Sequence, residues 1–326
     1  MSATLKITAA LFFASHAAMA QAPATQAFVA GQPLGFTVDG AFNAMTGNVK
    51  VYGSFNFAES CSYDAGRGLI VVPSRGAAQH EIPNDGYVSL INHDGSVHTS
   101  KWIGVNRNGL TLNNPLGGDI RDGVYYVADI EGGLKAGEPT SSVIRKFDLK
   151  TGAPMGEIKT PQVPFFNDLA IAADGTIYGT QTGVGGDKPD PKTWKVFKIA
   201  PDGTAGELVV GSPLFQPNGI AMDNDGNIVV VNIGTADVLT FSPAGRLLKT
   251  EKAVQPGNDG IVIMPDGTKY VSSVRNGGIS RIRPGQPADL IAANVPAAAS
   301  MCFDSGANQL VIPMNPNNAI ALISLK

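Results

Sequence analysis

The segment PNGIAMDNDGNIVVV (residues 217–231) has the pattern of a β-hairpin. A short apolar run at 220–222 leads to the dipeptide Asp225-Gly226, and a second apolar run follows at 228–231. Asp-Gly between two such runs predicts a tight turn, because the turn needs residues that tolerate positive φ. Asn218 places a polar side chain at the beginning of the first run. We therefore expect a strand, a turn and a second strand, with one polar group where the first strand begins.

Five further segments share this pattern. They are AESCSYDAGRGLIVVP (58–73), NNPLGGDIRDGVYYVAD (113–129), FFNDLAIAADGTIYGT (165–180), GNDGIVIMPDGTKYVS (257–272) and AASMCFDSGANQLVIP (298–313). The turn glycines Gly123, Gly175, Gly226 and Gly267 are 52, 51 and 41 residues apart. Self-similarity at such a period is typical of a repeat architecture.

A second series of hairpins alternates with the first, so that each repeat contains four strands. Its turns lie at Asp94-Gly95, Thr151-Gly152, Asp202-Gly203, Ala244-Gly245 and Gly285. Four antiparallel strands make one blade of a β-propeller, so six repeats predict an all-β fold, a six-bladed β-propeller. The last repeat shows only three strands before Lys326. We expect Val49–Gly53 to supply the fourth and to close the ring from the N-terminal side.

The beginning of the chain differs in composition from the repeats. Residues 1–20 contain Lys6, a short apolar stretch and Ala-Met-Ala at 18–20, the pattern of a cleavable secretory signal. The apolar stretch is shorter than the roughly 20 residues of a membrane-spanning helix. We expect a signal peptide at 1–20, an N-terminal arm at 21–47 and one propeller at 48–326. The mature protein would then be secreted or periplasmic, without a membrane span.

Composition limits the classes of partner. With 326 residues, 39 Gly, 22 Pro and 16% charged residues, the chain is typical of a turn-rich globular protein. Its formal net charge is −3, and lysine and arginine do not cluster along it. This balance argues against nucleic acids and anionic membrane surfaces as partners.

The two cysteines, Cys61 and Cys302, lie in the first and last repeats. A disulfide is allowed in an exported protein, and a closed ring makes these repeats neighbours. Alignment of the two repeats, however, places the cysteines one position apart. Alternation along a strand then points their side chains to opposite faces. We expect two buried thiols, with the disulfide as the alternative.

The first strand of each propeller blade lines the central channel, so the residues where these strands begin should meet at one mouth of it. The equivalent positions of the six repeats hold Glu59, a residue near Asn114, Asn167, Asn218, Asp259, and Ala299 or Ser300. Glu59, Asn167, Asn218 and Asp259 carry oxygen donors, and such a set suits Ca²⁺, which takes about six to eight oxygens. Asn and Asp before a strand often only bond their own backbone. Recurrence in four repeats favours the metal site.

In these features the chain resembles the senescence-marker-protein (regucalcin)/gluconolactonase family of six-bladed propellers. The resemblance in repeat pattern covers residues 49–326. It is sharpest at Phe166-Asn167-Asp168, Pro217-Asn218-Gly219, Asn258-Asp259-Gly260 and Glu59. It implies that Glu59, Asn218 and Asp259 bind a catalytic divalent ion and that Asn167 contacts the ion or the substrate. It also implies that Asp259 is the catalytic base or nucleophile.

Two positions depart from that family. Sugar-lactonase members usually carry an arginine two residues before the third-blade asparagine, where this chain has Phe165, followed by Phe166. The Glu-Gly-Pro that commonly opens the first blade is Glu59-Ser60-Cys61 here. We therefore expect an apolar acyl or aromatic substrate that contacts Phe165 and Phe166. Packing in the core is the alternative for both rings.

Together these residues predict a calcium-dependent hydrolase of a small-molecule lactone or ester, although other divalent ions would fit the same oxygens. The ion would polarise the carbonyl, and Asp259 would activate water or attack directly. The first alternative is a non-catalytic propeller, similar to NHL-repeat proteins, that binds a ligand or protein on one face, because the fold alone does not define a function. The second is a metal-free condensing enzyme of the strictosidine-synthase type. That enzyme would need a sixth-blade glutamate, and Ala299 and Ser300 offer none.

Overall fold

The computed structural model describes residues 35–53, 55–77, 84–106, 110–133, 138–200 and 202–325. The predicted signal peptide at 1–20, and the predicted arm as far as residue 34, lie outside these ranges. The described residues form strands β1 to β26 and one short 3-10 helix, Pro191–Thr193, and they contain no α-helix. The predicted all-β fold is confirmed.

The first three strands lie before the first complete blade. Strands β1 (Gly35–Val38) and β2 (Ala41–Ala44) form a hairpin within the predicted arm. Strand β3 (Val49–Gly53) belongs to the last blade. Blade one consists of β4 (Ser62–Asp64), β5 (Leu69–Ser74), β6 (Tyr87–Ile91) and β7 (Val97–Gly104). Blade two consists of β8 (Gly118–Arg121), β9 (Val124–Gly132), β10 (Thr140–Asp148) and β11 (Pro154–Thr160).

The remaining four blades repeat this order. Blade three consists of β12 (Leu169–Ile171), β13 (Ile177–Gln181), β14 (Lys195–Ile199) and β15 (Ala205–Val210). Blade four consists of β16 (Pro217–Met222), β17 (Ile228–Asn232), β18 (Asp237–Phe241) and β19 (Leu247–Lys252). Blade five consists of β20 (Asn258–Ile263), β21 (Lys269–Ser273), β22 (Ile279–Ile282) and β23 (Asp289–Ala292). Blade six consists of β24 (Cys302–Asp304), β25 (Gln309–Pro313), β26 (Ala319–Ser324) and β3.

The six blades form a closed ring. Their first strands contact one another in the order β4, β8, β12, β16, β20, β24 and back to β4. Strand β3 pairs antiparallel with β26, with Gly53 opposite Ala319 and Val49 opposite Ile323. The predicted closure by an N-terminal strand is therefore confirmed.

The hydrophobic core lies between neighbouring blades. Ala128 and Ile144 of blade two, for example, pack in one cluster with Ile177 and Phe197 of blade three. Alternation along each strand directs residues to the two neighbouring blades in turn. Burial of one Val, Ile or Phe side chain contributes about 1.5–3 kcal/mol, so the blade faces hold the ring together and fix its inner strands.

Cys61 and Cys302 form a disulfide, with their Cα atoms 5.4 Å apart. The expectation of two free thiols is therefore wrong. Alternation holds only within a strand, and the pairing of β4 with β5 begins at Ser62, so Cys61 precedes the regular ladder. Cys302, in contrast, is already paired with Val311. The disulfide joins the inner regions of blades one and six, next to Glu59.

Candidate active site

One backbone hydrogen bond defines the position where the inner strand begins in four of the blades, and the strand registers give the equivalent residues Asn218 and Asp259 in blades four and five. In blade one the N–H of Glu59 donates to the carbonyl of Pro73 at 3.2 Å. Leu116, Asn167 and Ala299 make the equivalent bond in blades two, three and six at 2.8, 2.7 and 2.9 Å. The blade-two position, expected near Asn114, is therefore Leu116, and the sixth is Ala299. Four blades present a polar side chain at this position and two present an apolar one.

The chain reaches several of these positions through a residue in the left-handed region. The residue two places before the site position has φ of 55° at Phe57, 56° at Gln216, 82° at Gly257 and 49° at Ala297. The carbonyls of Phe57, Gln216 and Gly257 then accept backbone hydrogen bonds from the loop that follows the second strand. Non-glycine residues rarely adopt this conformation, and its recurrence shows that the approach to the channel is a repeated feature.

Asn218 and Asp259 lie on β-bulges. The register of blade four shifts between Pro217 and Ile220, and that of blade five shifts between Asn258 and Ile261. A bulge turns side chains away from regular alternation. Asn218 Nδ2 donates to Asp259 Oδ2 at 3.3 Å, so the structure brings these two predicted residues together.

A glycine follows the site residue in blades four and five. A Cβ atom on Gly219 would lie 2.2 Å from the carbonyl oxygen of Asp259, and one on Gly260 would lie 2.6 Å from the backbone nitrogen of Met301. Glycine is therefore required for the close approach of the next inner strand. In blade one the corresponding residue is Ser60, whose Oγ donates to the carbonyl of Leu116 at 2.9 Å.

Glu59 is paired with an arginine that the sequence analysis missed. Arg75 follows the end of β5, and its Nη1 lies 3.7 Å from Glu59 Oε2. Its Nε donates to Asn114 Oδ1 at 2.6 Å, and its guanidinium lies 4.9 Å from the centre of the Phe57 ring. Arg75 is only 4% exposed. An arginine directly after an apolar strand, at its channel end, was the available sequence signal.

Asn315 of blade six is a second side-chain partner of Glu59. With its amide oriented so that the nitrogen faces acceptors, Asn315 Nδ2 donates to Glu59 Oε2 at 3.2 Å and to the carbonyl of Ala58 at 2.8 Å. Burial raises the pKa of Glu59, and the positive charge of Arg75 acts against that rise. Glu59 is therefore a buried carboxylate with two side-chain partners in the protein.

The channel also contains carboxylates with raised pKa values. Burial raises the pKa of Asp259, and the negative charges of Glu59 and Asp168 raise it further. Burial likewise raises the pKa of Asp168 to about 7, although its oxygens accept hydrogen bonds from the backbone nitrogens of Leu169 and Ile220. These groups lie close enough to influence one another's ionisation, which identifies the channel mouth as one electrostatic unit.

The donor atoms of blades four and five fit a divalent cation. Asn218 Oδ1 and Asp259 Oδ1 are buried and accept no hydrogen bond within the described part of the chain. An unsatisfied buried acceptor costs about 1–3 kcal/mol, and a bound cation would remove that cost. No three side chains of His, Cys, Asp or Glu form a metal-binding group in the described ranges. The fit therefore depends on the amide oxygens of Asn167 and Asn218 as well as on the two carboxylates.

The two predicted aromatic contacts differ in position. Phe166 has no exposed surface and packs edge-on against Phe197, with ring centres 5.7 Å apart. It belongs to the core between blades two and three, which corrects its predicted substrate role in favour of core packing. Phe165 is only partly buried and packs at the edge of the same cluster. A substrate contact thus stays a prediction for Phe165 alone.

Comparisons with solved structures find the same fold. A gluconolactonase from Xanthomonas campestris is 18% identical, with 86% of this chain and 91% of that chain aligned at a TM-score of 0.58. A gluconolactonase candidate solved by a structural genomics consortium is 17% identical, over 86% and 93% of the two chains, at a TM-score of 0.60. Virginiamycin B lyase from Staphylococcus aureus is 13% identical, over 86% and 100% of the two chains, at a TM-score of 0.58. At these identities the likeness shows the fold.

A family model gives the assignment. No curated protein sequence matches this chain. The model described as SMP-30/Gluconolactonase/LRE-like region matches residues 128–313, more than half of the chain. The match includes Asn167, Asn218 and Asp259, whereas Glu59 and Arg75 lie before it. The chain is a member of the SMP-30/gluconolactonase/LRE-like family.

Proposed function

We propose that this protein is a calcium-dependent hydrolase that opens a lactone or cleaves an ester. The observation that carries the proposal is the pair of buried acceptors, Asn218 Oδ1 and Asp259 Oδ1, at the channel mouth beside Glu59. Membership of the SMP-30/gluconolactonase/LRE-like family supports it. So does the position of Asn167, whose backbone makes the same hydrogen bond as that of Glu59.

The residues that would hold the ion are Glu59, Asn167, Asn218 and Asp259. When bound, Ca²⁺ supplies Lewis-acid polarisation of the substrate carbonyl and stabilises negative charge on its oxygen. Asn218 orients the Asp259 carboxylate through the bond from Nδ2 to Oδ2. Asp259 would take the proton of an attacking water or attack the carbonyl directly, with its pKa set by the adjacent cation. Asp259 is only 3% exposed, so bulk water is largely excluded around it.

The substrate that fits best carries an apolar acyl or aromatic group. Phe165 is only partly buried and lies two residues before the third-blade position Asn167. A polar sugar would find no hydrogen-bond partner in its ring. The structural likeness to the gluconolactonase from Xanthomonas campestris supports a lactone as the substrate class, while Phe165 favours a lactone that is less hydroxylated.

Export of the mature protein is part of the proposal. The pattern of residues 1–20 supports it, and so does the disulfide between Cys61 and Cys302, because such bonds persist in oxidising compartments. No helix among the described residues is both long and apolar enough to cross a membrane. Mass spectrometry of the exported protein should find an N-terminus near Gln21. Recovery of the full chain from the reducing compartment alone would contradict export.

The test is a calorimetric titration of chelator-treated protein with CaCl2, beside the Asp259→Ala variant. We expect binding in the wild-type protein, loss of binding in the variant, and calcium-dependent hydrolysis of at least one member of a panel of lactones and aryl esters. The variant should keep its β-sheet circular dichroism spectrum. Undiminished hydrolysis by the Asp259→Ala variant would overturn the proposal.

One observation favours a second function. Arg75 and Asn315 give Glu59 partners without any metal ion, as would suit a non-catalytic propeller that binds a ligand on its channel face. In that case chelation would leave ligand binding unchanged, and none of the lactones or esters would be hydrolysed.

A further inference from the structure

We propose that Arg75 is an internal cation of the candidate site whose charge weakens the binding of a divalent ion there. This inference rests on the proposed metal site and assigns unequal roles to its two carboxylates. Glu59 is the counter-ion of Arg75, and the ion is held mainly by Asn167, Asn218 and Asp259. Arg75 is thus a residue that sets the metal affinity of the site.

The first argument is the position of the guanidinium. Arg75 is 4% exposed and its Nη1 lies 3.7 Å from Glu59 Oε2. A distance of 3.7 Å is an ion pair rather than a short hydrogen bond. Burial lowers the pKa of Arg75, and the negative charges of Glu59 and then Asp259 act against that shift. The guanidinium is therefore paired with Glu59, and its charge also acts on Asp259.

The second argument is that Arg75 cannot easily move away. Its Nε donates to Asn114 Oδ1 at 2.6 Å, and the backbone nitrogen of Asn114 donates to Asp129 Oδ1 at 2.6 Å. Asp129 is fully buried and its Oδ2 accepts from Arg145 Nε at 2.7 Å. The Phe57 ring covers the guanidinium at 4.9 Å. The network of blade two thus holds the positive charge in place.

A fixed positive charge and a divalent cation repel each other strongly in a buried site, where water screens charges poorly. The same charge attracts Glu59 and so competes with the ion for that carboxylate. Blades four and five differ, because Asn218 Oδ1 and Asp259 Oδ1 accept no hydrogen bond within the described residues. Those oxygens remain available to the ion while Glu59 is engaged.

The opposite role for Arg75 makes the opposite prediction. If the arginine served only to hold Glu59 in the geometry of a metal ligand, its removal would weaken metal binding. The two roles therefore predict opposite signs for one measurable quantity, the dissociation constant for calcium.

The experiment is a CaCl2 titration by calorimetry of the wild-type protein, Arg75→Met and Arg75→Lys, with thermal unfolding of each in chelator and in CaCl2. Removal of the charge in Arg75→Met should tighten calcium binding about tenfold or more. It should also enlarge the rise of the melting temperature on calcium addition. Arg75→Lys keeps the charge, so we expect it to bind calcium as the wild-type protein does. Arg75→Gln, which can still donate to Asn114, replaces Arg75→Met if that variant does not fold.

Unchanged or weaker calcium binding in the neutral variant would overturn the inference, as would equal tightening in Arg75→Lys. Its failure and that of the proposed function are distinguishable. Calcium binding by the neutral variant alone would support the role of Arg75 and contradict calcium dependence of the natural protein. Binding by the wild-type protein without tightening in the variant would do the reverse. Absence of binding in every protein would overturn both.

Discussion

Blade one and blades four and five have the same backbone conformation before the channel, but their polar side chains differ in whether they have partners. In all three the residue two places before the site position is left-handed, at Phe57, Gln216 and Gly257. In blade one the carboxylate of Glu59 has Arg75 and Asn315 as partners. In blades four and five the buried oxygens Asn218 Oδ1 and Asp259 Oδ1 accept no hydrogen bond within the described residues.

The difference teaches that the repeat determines where a site residue lies, while residues outside the repeat pattern determine its charge environment. Gly219 and Gly260 let the inner strands of blades four, five and six approach closely, which concentrates oxygen atoms there. Ser60 of blade one uses that space for a hydrogen bond to blade two instead. The six blades therefore have the same strand arrangement, but they contribute differently to the candidate site.

The largest loss of stability is expected from a substitution of Glu59 in blade one. Glu59→Gln keeps the size of the side chain but leaves the buried charge of Arg75 without its counter-ion. We expect a loss of about 3–5 kcal/mol in the free energy of unfolding. Asn218→Ala removes only a bond of 3.3 Å and an unsatisfied oxygen, so it should cost about 1 kcal/mol or less. Urea unfolding of both variants in chelator measures the two losses, and equal losses would show that the blades do not differ as described.

The next largest loss of stability is expected from removal of the disulfide that joins blades one and six. The double variant Cys61→Ala/Cys302→Ala should lose about 2–5 kcal/mol of stability, because the disulfide closes a long loop of the unfolded chain. The variant should still fold, since β3 pairs with β26 independently of the disulfide. Thermal unfolding with and without dithiothreitol tests this. Reductant should lower the melting temperature of the wild-type protein only, and a drop of equal size in the variant would contradict the assignment.

A smaller loss of stability is expected where the inner strand of blade five approaches blade six closely, at Gly260. The new methyl group of Gly260→Ala would lie 2.6 Å from the backbone of Met301, and we expect a loss of about 1–3 kcal/mol. Gly206→Ala on β15 is the matched control, because a Cβ there meets no atom within 4 Å. Chemical unfolding of the two variants side by side is the measurement. A Gly260→Ala protein as stable as the control would remove the packing argument for the glycine.

The smallest effect is a pH dependence in blade two. Burial raises the pKa of Asp119 to about 6, although its oxygens accept bonds from the backbone nitrogens of Ile120 and Ile171. The folded protein thus binds this proton more readily than the unfolded chain. The resulting stability is present below about pH 4 and is lost as the pH rises through about 6.

Asp119→Asn should lose this contribution. The stability of the wild-type protein relative to the variant should fall by about 1 kcal/mol between pH 4 and pH 7, a value reduced because the side chain is partly exposed. Asp122→Asn is the control, since its side chain is 85% exposed. Unfolding curves at several pH values measure the difference. A pH profile of Asp119→Asn parallel to that of the wild-type protein would exclude this role.

Much of this fold could be predicted from the sequence because the information is local. An Asp-Gly turn between two apolar runs defines a hairpin, and repetition defines the ring. The positions of Glu59, Asn167, Asn218 and Asp259 followed from counting along equivalent hairpins. The blade-two position was displaced by two residues, from near Asn114 to Leu116, because Leu116 is not one of the polar residues by which four of the other blades were aligned.

The missed features depend on contacts between distant segments. Arg75 pairs with Glu59 only because β5 ends at the channel mouth. The spacing of the two residues in the sequence does not predict this ion pair. The disulfide was judged by strand alternation, yet Cys61 lies just before the paired residues of β4. Phe166 was assigned to the substrate because it follows Phe165, which stands where sugar lactonases carry an arginine, yet its side chain is fully buried in the core between blades.

The disulfide between blades one and six also closes the chain from Cys61 to Cys302 into a covalent loop, with one free segment before it and one after it. Cys61 and Cys302 are 241 residues apart, so the loop contains most of the propeller. A protease that cuts one turn anywhere between them would produce two pieces that remain linked. In a denaturing gel the nicked protein would migrate as one species until a reductant separates the two pieces. In the native reduced protein, only the packing between blades would hold the pieces together.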